Sequence, residues 1–466
     1  MTTLAFHSES AASAKSLRVS ESIATTGPDA KRALVRELQR LKERDNHTNW
    51  RYLALNYAIF VATIIAVFAA YREADLTGLG PWLSVPATVL AIVVIGGFQH
   101  QLGGVIHEAT HYILFADRKR NELISDWLAA FPIYTSTYAF RLHHLAHHQF
   151  VNDPERDPNF AQAEMSGHWL DFPLSQFELV MAVVRQLNPL RLVKYILARA
   201  KYSALGSDKN PYAKTDKMGS PWIIRVGALF AIGMPAVAIA FIELQWWTAA
   251  LVAHVVLSAA LLAYYGFVPE SDYAESRIDP VISHRVTSLN RMGFMALLYG
   301  TLTFACWATG EPVWGYFGLL WILPMFTTFP LFMIIREWVQ HGNADRGRLT
   351  NSRVFLVGPV LRYLVFPWGM DYHLPHHMYC SVPHYKLKDL HEALRRRDPE
   401  YAEKGLVVEG LMGEGAPGRP SIVEVLGPRY TMTGTEKFVL DETLELADVN
   451  DRAGIERQIE NSRRAD

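Results

Sequence analysis

The most informative stretch of the sequence is Arg141-Leu142-His143-His144-Leu145-Ala146-His147-His148. Four of its eight side chains are imidazoles. On a helix, His144, His147 and His148 stand at positions i, i+3 and i+4 and lie on the same side. Neutral imidazole is a good ligand for iron, zinc, copper or nickel. The stretch therefore predicts a metal site, although a solvated histidine-rich helix has the same composition.

Two further histidine groups flank this stretch in the sequence. His107 and His111 are four residues apart and share one helical face. A third group consists of His373, His376 and His377, which repeat the i, i+3, i+4 spacing. The repetition favours a common metal site over a chance cluster.

The composition limits the classes of protein that fit. The chain has 466 residues, of which 50% are hydrophobic, and a net charge of -1. A near-neutral chain gives no sign of nucleic-acid binding. Its two cysteines are too few for a zinc ribbon or an iron–sulfur cluster. Residues 1–30, rich in Ser, Ala and Thr, are predicted to be disordered within a cytoplasmic N-terminal segment, 1–50.

Long apolar runs indicate a membrane protein. Each is long enough to cross ~30 Å of hydrocarbon at about 1.5 Å per residue, and six in one chain are too many for buried helices of a soluble fold. The predicted spans, of which the fifth is the shortest, are Tyr52–Tyr71, Trp82–Ile106, Ile223–Ile242, Trp246–Val268, Met292–Thr309 and Trp314–Ile335.

The loops between these spans predict their orientation. The connections 72–81, 243–245 and 310–313 contain a single basic residue, Arg72, and most of the other basic residues lie on the opposite side. Basic loops remain in the cytoplasm. We therefore expect both termini and the segment 107–222 to be cytoplasmic. All three histidine groups then lie on that side, where they can meet.

A different metal chemistry is suggested by His107-Glu108-Ala109-Thr110-His111, which matches the H-E-x-x-H zinc signature with Glu108 as a general base. A zinc hydrolase needs one more ligand and an open position, so the other two histidine groups would have no role. A non-catalytic metal-binding or transport protein is a third alternative. Transporters place ionisable residues inside their spans, whereas these histidines lie beyond the span ends.

The three groups, in this order and with these spans, resemble the three histidine boxes of the integral-membrane fatty acid desaturase and hydroxylase superfamily. The resemblance covers roughly residues 50–395. It extends to other short motifs, which are Asp157-Pro158-Asn159, Asp371-Tyr372, Ser381-Val382-Pro383-His384-Tyr385 and Leu390-His391.

The resemblance implies an all-α membrane fold with four to six transmembrane helices. A cytoplasmic helical cap would hold two iron ions bound almost entirely by histidine. Many members of the superfamily have four spans, so the hairpin 223–267 is either an insertion or partly interfacial. We expect the desaturase-like domain to occupy residues 51–400, followed by a cytoplasmic extension, 401–466.

The resemblance also assigns roles to individual residues. Some members add a ligand after the last span, where His341 stands, and His143 is a less favoured alternative to His144. The expected metal ligands are His107, His111, His144, His147, His148, His341, His373, His376 and His377. The carboxylates expected to support them are Glu108, Asp157, Glu337 and Asp371. His384 and His391 are expected to be structural or supporting, and His7, His47, His168, His254 and His284 to be surface or interfacial.

The expected function is O2-dependent oxidation of unactivated C–H bonds in a lipid acyl chain, with desaturation favoured over hydroxylation. The cofactors would be two iron ions (Fe2+/Fe3+), with O2 as co-substrate. No haem or dinucleotide signature is found, which implies an external electron donor such as ferredoxin, rubredoxin or cytochrome b5 with its reductase. The substrate would be a membrane lipid, acyl-CoA or acyl carrier. Arg118, Lys119 and Arg120 could hold its headgroup, although positive-inside bias explains them equally well.

Overall fold

The computed structural model describes residues 28–205, 212, 214, 219–412, 418–428 and 430. Residues 1–27 of the segment expected to be disordered, His7 among them, lie outside this part of the chain, as does the acidic stretch 441–460. Residues 28–30 are helical rather than disordered, because they begin an amphipathic helix whose apolar side is buried.

The described residues are mostly helical. The α-helices are α1 (Pro28–Leu41), α2 (Thr48–Thr77), α3 (Pro81–Thr110), α4 (Arg118–Ser125), α5 (Thr137–Gln149), α6 (Pro158–Ser166), α7 (Gln176–Gln186), α8 (Pro189–Leu205), α9 (Pro221–Glu243), α10 (Trp247–Phe267), α11 (His284–Thr309), α12 (Val313–Phe317), α13 (Leu323–Phe326), α14 (Thr328–His341), α15 (Pro359–Val365), α16 (His373–Met378), α17 (Leu387–Arg397), α18 (Pro399–Lys404) and α19 (Ile422–Val425). Two π-helical turns are Asp126–Ala130 and Gly318–Ile322. The strands are β1 (Val354–Leu356) and β2 (Val407–Glu409).

Among the described residues, six helical segments are long and apolar enough to cross a membrane: α2, α3, α9, α10, α11 and the segment Val313–His341, which joins α12 to α14. The predicted all-α membrane fold is therefore confirmed, with the number of candidate spans at six. The helices are longer than the apolar runs. Helix α11 begins at His284, eight residues before the predicted apolar run, and these added residues are mostly polar.

The spans pack in two groups. Helices α2 and α3 form a hairpin, and α3 also contacts α5, α14 and α15. Helices α9, α10 and α11 pack around a shared apolar cluster that includes Met234, Leu261 and Met292. Helix α12 joins the groups because it contacts α11 and continues into the segment that packs on α3.

Pro235 interrupts the hydrogen bonding of α9, and a tyrosine on α11 compensates for it. Proline lacks an N–H, so the carbonyl of Ala231, four residues earlier, loses its helical donor. The Tyr299 hydroxyl donates to that carbonyl at 3.0 Å and lies 3.1 Å from the Tyr134 hydroxyl. A freed carbonyl inside a membrane needs such a partner, so Tyr299 fixes α9 against α11.

The remaining helices form a cap at one end of the spans. Its core combines α1, α14, α16 and α17 with residues from the C-terminal region, including Tyr401, Val408 and Val425. Strands β1 and β2 pair in parallel, with Val354 opposite Val407. The described residues beyond position 400 therefore pack into the same core as the third histidine group. The two short strands are a minor addition to the helical fold.

We predict that Tyr299→Phe lowers the free energy of unfolding by about 0.6–1.7 kcal/mol, the range for hydrogen bonds between membrane helices. The carbonyl of Ala231 would lose its donor while the aromatic packing stays. Thermal unfolding of the purified protein measures the effect. Tyr316→Phe is the matched control, because the Tyr316 hydroxyl donates to an exposed carboxylate, that of Glu311. Equal effects of the two substitutions would contradict this role of Tyr299.

Candidate metal centre

Helix α3 brings the first histidine group into the cap. His107 and His111 lie at its C-terminal end, directly after the apolar part of the span, and both are buried. Ser136 caps the N-terminus of α5, where its hydroxyl accepts the N–H of Ala139. Helix α5 contacts α3 closely and carries the second histidine group. The ends of two helices thus set the position of the site.

Arg141 fixes α5 to the end of α3. Its guanidinium is completely buried and donates to the carbonyls of Ala109 and Thr110, at 2.9 and 3.0 Å. It also forms an ion pair with the Glu122 carboxylate. The last carbonyls of a helix carry partial negative charge, which favours a cation there. One side chain therefore holds the helices of the first two histidine groups in a fixed relation.

Five histidines form the first cluster, which we call the five-histidine group. Each offers one ring nitrogen, and these atoms lie within 4.8 Å of one another. All five side chains are buried. The members come from α3, α5 and α16 and are His107, His111, His144, His148 and His376.

Four histidines form the second cluster, the four-histidine group, from α5, α14 and α16. Their members are His147, His341, His373 and His377, and their ring nitrogens also lie within 4.8 Å of one another. The two groups adjoin, because the rings of His148 and His377 stack with centroids 4.2 Å apart. The structure thus brings together all nine histidines expected as ligands.

The two HxxHH sequences are divided between the groups in a reciprocal way. His144 and His148 of α5 belong to the five-histidine group, and His147 belongs to the other. On α16, His373 and His377 belong to the four-histidine group, while His376 points to the first. On a helix, residues i and i+4 are about 40° apart, whereas i+3 and i+4 are about 100° apart. Each HxxHH helix therefore serves both groups.

The contacts between the rings fit a bound cation better than hydrogen bonds. The Nε2 atom of His144 lies 3.0 Å from the Nε2 atoms of both His111 and His148. The Nε2 atom of His373 is similarly placed, 2.9 Å from that of His341 and 3.0 Å from that of His377. A ring nitrogen has either one hydrogen or one lone pair in its plane, so it cannot serve two such neighbours. A shared cation satisfies all of these lone pairs.

The ring of His107 gives a second sign of fit. Both of its nitrogens are buried, and neither has a hydrogen-bond partner among the described residues. A buried unpaired polar atom in a native protein calls for an explanation, and an ion is one of the accepted ones. The donor set of neutral imidazoles without thiolate suits iron, zinc or copper.

Asp157 supports the four-histidine group. Both of its carboxylate oxygens lie 3.0 Å from the Nδ1 atom of His147. Burial disfavours the charged imidazole, but the Asp157 carboxylate outweighs it and raises the pKa of His147. A proton held on Nδ1 leaves the Nε2 lone pair available to a metal. At His341, the backbone carbonyl of Asn351 lies 3.1 Å from Nδ1 and can accept a hydrogen bond from it in the same way.

Asn159 connects the second histidine group to the last span. Its side-chain oxygen lies 2.7 Å from the Nε2 atom of His143, and its amide donates to the Glu337 carboxylate at 3.1 and 3.2 Å. His143 lies in neither histidine group. Sequence spacing could not indicate this role of Asn159, because its partner Glu337 is 178 residues away.

The other two predicted carboxylates have different partners. Glu108 is fully buried, accepts the backbone N–H of His384 at 2.9 Å and lies 3.8 Å from the Nδ1 atom of His107. Asp371 forms an ion pair with Arg362 at 2.9 Å, and its described contacts include no histidine of either group. Burial raises the pKa of Asp371 to about 6 despite the Arg362 guanidinium.

A family model described as fatty acid desaturase matches residues 80–304 and 274–404. The chain belongs to the fatty acid desaturase family. It is also 22% identical over 404 residues to dihydrorhizobitoxine desaturase from Bradyrhizobium elkanii, a match that covers 85% of this chain and 89% of that protein. Membership makes the chain an oxidoreductase, and its six apolar helices make it a multi-pass membrane protein.

The remaining histidines of this desaturase-family chain lie outside both groups. His384 and His391 are buried and bind Asn49 and Tyr401, at 2.9 and 2.6 Å. The expectation that His168 is a surface or interfacial residue is wrong. It is buried, because its ring packs against that of Tyr195 with centroids 5.3 Å apart and its Nδ1 atom lies 2.9 Å from the Ser166 hydroxyl.

The other described histidines differ in exposure. His47 is exposed, while His254 and His284 are half-buried. His100 on α3 is buried, with its Nδ1 atom 2.8 Å from the carbonyl of Leu364.

A small cavity adjoins the four-histidine group. Its volume is about 40 Å³, enough for on the order of three water molecules. Its lining includes the polar residues Asp157, Asn159, Glu337 and His341 and several aromatic residues, among them Tyr195. Polar groups and solvent can therefore meet beside the ligands. Arg118, Lys119 and Arg120 are instead exposed at the start of α4.

We predict that Asp157→Asn weakens metal binding by about 10–100-fold, the usual cost of removing a carboxylate that supports a histidine ligand. Asparagine can still cap α6, so the fold should persist. Metal retained after dialysis against graded chelator concentrations is the measurement. Asp153→Asn is the control, because Asp153 pairs with Arg156 and Arg346 rather than with a histidine. Equal metal retention in the two variants would refute the role of Asp157.

Proposed function

We propose that the chain is an O2-dependent lipid desaturase that holds one iron ion in each histidine group. The observation that carries this proposal is the convergence of buried imidazoles into two adjoining groups of five and four. Family membership supports it, as does the desaturase named among its relatives. Imidazole suits iron, and a shell without thiolate resists oxidation.

Bound iron would supply the activation of O2 that removal of hydrogen from an unactivated C–H bond requires. Desaturation takes two hydrogens from the substrate, and O2 with two electrons and two protons accepts them to form two molecules of water. The protein's own residues position the ligands: Asp157 holds the Nδ1 proton of His147, and Arg141 holds the helix ends. The apolar cluster around Val105 and Ile106 keeps water from the five-histidine side.

The electrons come from a separate carrier in this proposal. The sequence has neither a haem-binding signature nor a dinucleotide glycine fingerprint. Ferredoxin, rubredoxin or cytochrome b5 with its reductase would serve. The positive-inside distribution of basic residues supports a cytoplasmic site, where such carriers operate.

An apolar substrate is supported by a second, larger cavity. It has a volume of about 1040 Å³ and lies between α2 and α11, near the upper end of the roughly 300–1,000 Å³ typical of ligand sites. Its walls include Phe60, Phe98, Leu298 and Trp321. Phe98 lies on the same helix as His107, about 14 Å before it. The relative is named as a desaturase of dihydrorhizobitoxine, and its name does not mention an acyl chain. The support for an acyl substrate therefore comes from the family and from this cavity.

A headgroup site at Arg118, Lys119 and Arg120 remains part of the proposal. Their exposure at the N-terminal end of α4 leaves them accessible to a phosphate. The competing zinc hydrolase has less support, because one oxygen of Glu108, its general base, already accepts the backbone N–H of His384. His107 and His111 also have three further histidine neighbours, more than a hydrolase site needs.

We predict about two iron ions per chain after anaerobic reconstitution with Fe2+, since each group has a full donor set. His148→Ala should remove iron from the five-histidine group and His377→Ala from the four-histidine group. Iron is counted by mass spectrometry after gel filtration. His47→Ala is the control, because His47 is exposed. One zinc ion per chain, unaffected by His377→Ala, would favour the hydrolase.

We predict that expression in a lipid-producing host introduces new double bonds into acyl chains, and only when O2 is present. His147→Ala should abolish them while the protein still inserts into the membrane, because the substitution removes one ligand and no apolar surface. Gas chromatography with mass spectrometry of the extracted acyl chains gives the result. Hydroxylated chains would instead assign the protein to the hydroxylases, and full activity of His147→Ala would refute its role as a ligand.

A further inference from the structure

Helix α7 exposes an apolar stripe outside the six candidate spans. Phe177, Val180, Val184 and Leu187 are separated by three, four and three residues, so they lie on one side of the helix. All four are exposed, Phe177 by 74%. Such a continuous apolar stripe is uncommon on a surface that faces water.

The other sides of α7 differ from this stripe. Ala182 and Gln186 are buried. Glu178 and Arg185 are exposed on a third side, about 100° from Val184 or farther. A helix with a buried, an apolar exposed and a polar exposed side is typical of one that lies in the interface of a bilayer.

Helix α8 continues the same pattern. Leu190, Lys194, Leu197 and Lys201 are spaced by four, three and four residues, and all are exposed, Leu190 by 78%. Lysine among exposed leucines is typical of interfacial helices, because the long stem lies along the acyl chains while the ammonium reaches the headgroups.

The buried sides of both helices pack against the last candidate span, and Ala182 is the member of α7 in this contact. Leu192 and Tyr195 of α8 belong to one apolar cluster with Met325, Phe329 and Met333. These three residues lie within the last candidate span, Val313–His341. An element packed along that span has acyl chains, rather than water, beside its outer face.

We infer that α7 and α8 form a monotopic hairpin embedded in the cytoplasmic leaflet. The occupant of the apolar stripe is the acyl-chain region of the bilayer, and Arg185, Lys194 and Lys201 bind the anionic headgroups above it. The inner side of α8 carries Tyr195, which lines the cavity beside His341. One helix thickness therefore separates lipid from the candidate metal centre. The inference does not depend on the reaction that the protein catalyses.

Nitroxide labels on single cysteines test this placement in nanodiscs of phosphatidylcholine and phosphatidylglycerol. Collisions with O2, which concentrates in acyl chains, are compared with collisions with a water-soluble nickel chelate. The starting variant replaces both native cysteines with alanine and must retain its metal. The reporters on the apolar stripe are Val180→Cys and Val184→Cys. The matched controls on the polar side of the same helix are Glu178→Cys and Arg185→Cys.

We expect O2 to exceed the chelate at positions 180 and 184, and the chelate to exceed O2 at positions 178 and 185. Chelate in excess at all four positions would show that the stripe faces water, which overturns the inference. Low collision rates with both reagents at positions 180 and 184 would show that a protein surface, such as a second copy of the chain, covers the stripe. That result also overturns it.

Discussion

The candidate site depends on one constraint: ring nitrogens from α3, α5, α14 and α16 must converge within 4.8 Å in each of two groups. Imidazole side chains are short, so a shift of one helix by a single residue, about 1.5 Å, would remove a ligand from its group. The helices that supply them are separated by up to four membrane crossings. The fold therefore has to fix the positions of the helix ends that carry the histidines relative to one another.

Two buried arginines meet this need in the same way. Arg141 donates to the last carbonyls of α3, and Arg353 donates to the carbonyls of Val339 and Asn343 at the end of α14, at 2.8 and 2.9 Å. Glu122 balances the charge of Arg141, whereas the described contacts of Arg353 are backbone carbonyls. Burial lowers the pKa of Arg353 to about 10, which leaves it charged at neutral pH. The partial negative charge of the helix end is its counterpart.

The sequence predicted which histidines lie together but not how they divide into two groups. Spacing identifies histidines that share a face, and all nine expected residues converge. Spacing alone predicts that the three histidines of each HxxHH sequence act together. In the structure, His147 belongs to a different group from His144 and His148, and His376 to a different group from His373 and His377. That division follows from what packs against each helix, which spacing does not contain. For the same reason Asp371 pairs with Arg362 across the cap, although its position beside the third group suggested a supporting role.

Helix continuity explains why the site lies so close to the membrane. His107 directly follows Ile106, the end of a predicted apolar run, and His341 lies six residues, or about 9 Å, beyond Ile335. The helices of two candidate spans therefore continue directly to histidines of the candidate site, without an intervening loop. An element that packs on the same spans, as α8 does on the last one, is held at the same depth. The inferred membrane contact of the apolar stripe on α7 would then follow from the position of the histidines at the ends of the spans.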